Sequence, residues 1–126
     1  MKNEILDRFL RYVKIDTQSD ESSLNYPSSE KQRVLGNLLI DELKVLGLKD
    51  ISVDKYGYIM ATLPSNTSKK VPVIGFLAHM DTSPDMSGEN VKPRIIENYD
   101  GSDILINKEK KLVMTTREFP ELKKYV

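Results

Sequence analysis

Val71-Pro72-Val73-Ile74-Gly75-Phe76-Leu77-Ala78-His79-Met80-Asp81-Thr82-Ser83-Pro84-Asp85 is the stretch on which the reading of this chain turns. Its first eight residues are almost continuously apolar, which predicts a strand buried on both faces of a sheet. Pro72 is tolerated at the start of such a strand, before a ladder donor is needed. The run ends on His79, which is the only histidine of the 126 residues. Histidine is a general base, a pH switch and the commonest protein ligand for zinc. Any imidazole chemistry of this chain therefore happens here.

In an open α/β sheet, ligand sites lie outside the carboxyl ends of the strands, and His79 and Asp81 occupy such an end. Side chains two residues apart on extended backbone point the same way. Imidazole and carboxylate thus leave the predicted strand together, and the carboxylate can orient the ring and raise its basicity. The competing reading is a plain hydrogen-bonded or exposed loop histidine, and a three-residue pattern alone does not decide between the two.

Outward from this stretch, Ile5, Leu6, Phe9, Leu10 and Val13 recur at helical spacing, with Asn3 as the cap. Asp16 to Ser23 is a polar loop. Ser29-x-x-Gln32 has the form of a capping box. It precedes the apolar stripe Leu35, Leu38, Leu39, Leu43 and Leu46, which Gly47 ends as a left-handed residue. Gly36 inside this helix costs about 1 kcal/mol relative to alanine, so another element is expected to approach closely there. Ile51–Asp54 and Tyr58–Leu63 read as strands around a Tyr56-Gly57 turn, and Pro64–Lys70 is a turn-rich link. Later, Asp100-Gly101 marks a turn, Ile104–Ile106 and Leu112–Met114 pair across Asn107–Lys111, and Thr115-x-x-Glu118 resembles a second capping box. The expected architecture is α/β, a mixed sheet flanked by helices. The chain stops inside its last element, which looks like the end of an incomplete catalytic domain spanning residues 1–126.

Composition narrows the function classes. Lys+Arg and Asp+Glu both number 19, so the formal charge is zero and no broad nucleic-acid surface is expected. No apolar run is long enough to cross a bilayer, and the start does not read as a secretory signal, so a cytoplasmic location is expected. Zero cysteines exclude disulfides, thiolate zinc ligands and a cysteine nucleophile. No Gly-x-Ser-x-Gly elbow supports a serine hydrolase, and no phosphate-binding glycine loop is present.

Arg8–Val13, Asp16-Thr17-Gln18-Ser19, Pro27–Glu30, Met60–Pro64, Ile74-Gly75-Phe76, Ala78–Asp85 and Glu97-Asn98-Tyr99 together resemble the amino-terminal part of the peptidase T family. Its members are cytoplasmic tripeptide aminopeptidases of the di-zinc exopeptidase and deacylase group. The most specific segment is His79–Asp85, whose Thr82-Ser83-Pro84-Asp85 continuation is similar to that family rather than to the related deacylases. The resemblance implies that His79 is a metal ligand and that Asp81 is the active-site aspartate supporting it. It implies two Zn2+ per complete site, a small peptide substrate, and further ligands and a glutamate general base that nothing in this chain matches. Asp85, Glu89, Glu97, Asp100 and Asp103 lie in no bridging motif. The expected protein is thus a metal-dependent aminopeptidase represented by a piece inactive alone, in need of its carboxyl-terminal part. The alternatives are an amino-acid deacylase of the same group, or a non-catalytic binding domain.

Overall fold

The computed structural model describes residues 2–126. By internal contacts the chain forms two compact units, one up to Pro93 and the other Arg94–Val126.

The first unit opens with helix α1, Lys2–Tyr12. The helix already includes Lys2, so Asn3 lies inside it and not before it. Helix α2 spans Gln32–Val45, two residues later than the Ser29 box predicts, and its capping residue Lys31 makes no side-chain cap bond. Residues 29–34 instead wind in tight turns, with Gln32 N–H donating to the Ser29 carbonyl at 3.1 Å and Arg33 N–H to that of Glu30 at 3.0 Å. The Gln32 side chain reaches back to Ser28 Oγ at 3.2 Å, not to the backbone of Ser29. The carboxyl end of α2 follows expectation. Gly47 adopts φ +80°. Leu48 N–H donates to the Leu43 carbonyl at 3.1 Å and Gly47 N–H to that of Lys44 at 2.9 Å, the paired bonds of a Schellman closure.

Strands β1 (Lys49–Val53) and β2 (Ile59–Thr62) form an antiparallel hairpin, with a register shift between Lys49 and Ser52 where Asp50 takes φ +52°. The Asp54 carboxylate closes the turn by accepting the N–H groups of Tyr56 and Tyr58, each at 2.9 Å. Gly36 is buried on α2, and the expected close approach is there. A Cβ on Gly36 would lie 3.3 Å from Ile59 Cδ1 of β2 and 3.8 Å from Met80 Sδ. Leu35 is the one buried apolar side chain among the described residues, while Leu38, Leu39 and Leu43 are half-buried and Leu46 is exposed. Helix α1 is tied to α2 by charge. Glu42 pairs with Arg11 at 2.7 Å and Arg8 at 3.7 Å, and accepts the Tyr12 hydroxyl. Burial first, and the Glu42 hydrogen bond second, push the Tyr12 phenol above its ordinary range.

The second unit holds β3 (Ile104–Asn107) and β4 (Leu112–Met114), antiparallel as expected. Gly101 in the predicted turn has φ +81°. Thr115 Oγ1 accepts Glu118 N–H at 3.2 Å, which is half of the second box; Glu118 Oε2 accepts the Thr115 hydroxyl at 3.0 Å instead of its backbone N–H. A 3-10 helix, Pro120–Tyr125, follows.

Two expectations are corrected. The strands form two separate two-stranded antiparallel sheets, not one mixed sheet. Parallel pairing among the described residues is limited to an isolated bridge between Gln18 and Thr82. Val71–Ala78 is neither a strand nor buried: Val73, Phe76 and Leu77 are 99%, 95% and 98% exposed. The physical reason is the same for both. A strand exists only where a neighbour completes its ladder, and no described segment pairs with residues 71–78.

Candidate functional site

The site is built on the segment that continues from this apolar run. Met80 turns inward against α2 at Gly36. Its neighbours His79 and Asp81 keep much of their side-chain surface exposed and meet one another. His79 Nδ1 lies 3.2 Å from Asp81 Oδ1, and the two side chains are 83% and 47% exposed. The pair foreseen from the spacing is therefore formed, at the surface and not in a cleft. A carboxylate only accepts, so a hydrogen bond here requires the proton on Nδ1, which in the neutral ring leaves the lone pair on Nε2.

A loop far away in sequence holds this segment in place. Thr82 N–H donates to the Thr17 carbonyl at 3.1 Å, and Ser19 N–H donates to the Thr82 carbonyl at 2.9 Å. Ser19 Oγ adds a second bond to that carbonyl at 3.0 Å. Gln18 Nε2 reaches the Pro84 carbonyl at 2.9 Å. Asp16 organises the loop itself: Oδ1 accepts Gln18 N–H at 3.0 Å, and Oδ2 pairs with Lys31 Nζ at 2.7 Å. These two partners, Lys31 first, hold the Asp16 carboxyl below its ordinary range. The stretch Asp16–Ser23, expected as a polar connection or, from the family resemblance, as a segment shaping the cleft, begins as a clamp on the His79 segment. The readable signal was the aspartate two residues before Gln18, an Asx-turn pattern. The pairing to residues 66 positions away had none.

A metal fits this arrangement only in part. Nε2 of His79, with Asp81 behind the ring, is a suitable single donor. A catalytic zinc takes about three protein ligands, and among the described residues no three His, Cys, Asp or Glu side chains converge. Asp85 does not turn to His79 but accepts the Ser83 hydroxyl at 2.5 Å, and Glu89 N–H bonds Ser87 Oγ at 3.2 Å. No helix among the described residues is long and apolar enough to cross a membrane.

No family model matches the chain. Among curated proteins, those it is similar to are peptidases. In particular it is similar to peptidase T, along nearly its whole length. It is 57% identical over 122 residues to peptidase T of Clostridium acetobutylicum and 58% identical over 122 residues to that of Halothermothrix orenii. With peptidase T of Listeria welshimeri it shares 55% of 125 residues. These alignments cover 97% to 99% of this chain, and the chain spans 30% of the length of each relative.

Proposed function

We propose that this chain carries one metal-ligand corner of a zinc-dependent aminopeptidase that releases the amino-terminal residue of tripeptides. The observation that carries the reading is the His79–Asp81 pair at 3.2 Å within a sequence 57% identical to a peptidase T. Asp81 accepts the Nδ1 proton and so fixes the tautomer, and His79 offers Nε2 as a ligand. A divalent metal held by His79 together with ligands from the rest of the enzyme would supply Lewis-acid polarisation of the scissile carbonyl. The remaining ligands and the general base come from the part of such an enzyme outside these 126 residues. The chain alone is therefore inactive, and the complete enzyme works on small peptides in the cytoplasm.

Assaying the chain extended to the full length of its relatives tests this directly. Metal-dependent cleavage of tripeptides, lost in His79→Ala, is the expected result. Turnover of acylated amino acids with no tripeptide cleavage would transfer the assignment to a deacylase. Activity that survives His79→Ala in full would remove His79 from the metal site.

A further inference from the structure

The clamp described above has a hub. Asp16 forms no hydrogen bond or ion pair with His79 or Asp81, yet it meets three separate segments of the chain. Its Oδ1 holds the Gln18 N–H at 3.0 Å, which shapes the loop that pairs with Thr82. Its Oδ2 holds Lys31 at 2.7 Å, just before α2. Gly88 packs directly on it: a Cβ at Gly88 would come within 2.4 Å of Asp16 Oδ1 and 3.2 Å of its Cγ. The segment that carries the pair is thereby pinned at four successive points. Met80 seats on Gly36, Thr82 pairs with Thr17 and Ser19, the Pro84 carbonyl takes the Gln18 amide, and Gly88 abuts Asp16. Two of these four depend on Asp16 through Gln18 or by direct contact, and a third, at Thr82, is flanked by the turn Asp16 closes.

We propose that Asp16 is a positioning residue for the His79–Asp81 pair, acting through the Gln18–Thr82 bridge and the Gly88 contact. The purpose of that positioning rests on His79 being a metal ligand, whereas the coupling itself does not. A lone exposed His-x-Asp pair would sample many rotamers. A backbone held at Met80 and again from Thr82 to Gly88 removes part of that freedom before any ligand arrives, which is the value of preorganisation.

The test uses the 126-residue chain labelled with nitrogen-15. The first readout is the tautomer of the His79 ring at a fixed pH where it is neutral. The second is hydrogen-exchange protection of the Thr82 amide, with the Leu39 amide of α2 as reference. Zinc titration is the third. Asp16→Ala should lower Thr82 protection about tenfold, the worth of one charge-assisted hydrogen bond. It should also weaken the preference for the Nδ1–H tautomer, with Leu39 unchanged. Asp16→Asn, which keeps an oxygen for the Gln18 N–H, should restore part of both. Gly88→Ala should reproduce the Asp16→Ala result, and it decides the matter if Asp16→Ala does not fold. Unchanged Thr82 protection and tautomer in a folded Asp16→Ala or Gly88→Ala chain would overturn the proposal. The two readings separate cleanly. Absence of zinc binding by the wild type, with Asp16→Ala still shifting the tautomer, defeats the metal role and leaves the coupling. Zinc binding with no response to Asp16→Ala does the reverse.

Discussion

A histidine offers a metal one lone pair, and whether it points usefully depends on what holds the other nitrogen. In this chain Asp81 does so, at 3.2 Å. His79→Ala should abolish whatever site-specific zinc binding calorimetry finds in the 126-residue chain, and Asp81→Asn should weaken it by about 10- to 100-fold, the usual cost of losing an orienting carboxylate. The wild-type affinity itself is expected to be low, because one imidazole stands where about three ligands are needed. Asp16 supplies a pH dependence whose sign follows from its partners. Its folded-state carboxyl titrates below the ordinary value, because Lys31 and the Gln18 amide favour the charged form. Its contribution is therefore full above the unfolded value of about 3.9 and is lost as the pH falls from there through the lower folded value. Thermal midpoints should differ between wild type and Asp16→Asn at neutral pH, and the gap should close in strong acid.

Between elements, a few contacts decide the geometry. Gly36 is the place where β2 and the His79 segment both reach α2. An alanine there meets only the end of Ile59 and ordinary contact with Met80. A leucine cannot fit, and Gly36→Leu should cost about 1–3 kcal/mol by overpacking, read as a lower urea midpoint. The same substitution should displace Met80 and with it the outward orientation of His79. Glu42 joins α1 to α2 through Arg11 and Tyr12. Glu42→Ala leaves the Tyr12 hydroxyl without its acceptor and Arg11 without its ion pair, and a loss of about 1.5–3 kcal/mol is expected, chiefly from the hydrogen bond to a charged group. Protection of α1 amides should fall while that of the β1–β2 hairpin stays.

At the scale of the molecule, the most consequential feature is apolar surface. Val73, Ile74, Phe76 and Leu77 are 74% to 99% exposed in one continuous run. A row of unpaired backbone groups bearing large apolar side chains is a template for association. Size-exclusion chromatography of the 126-residue chain should show concentration-dependent species, and Phe76→Lys with Val73→Thr should shift them toward monomer. A monodisperse wild type at high concentration would instead favour a self-sufficient binding domain over the enzyme-part reading.

Much was legible in the residues alone. Local devices act within a few positions, so the Gly47 helix stop, the Asp100-Gly101 turn, the two hairpins and the His79–Asp81 spacing could all be read without a structure. The notch at Gly36 was readable as a need, though not its occupants. What sequence misjudged was Val71–Ala78, because apolar character states a preference for burial while burial itself requires a partner surface. What it left unseen was the pairing of Thr17, Gln18 and Ser19 with Thr82 and Pro84. Those hydrogen bonds join segments more than 60 positions apart, and only the folded backbone brings their donors and acceptors within reach.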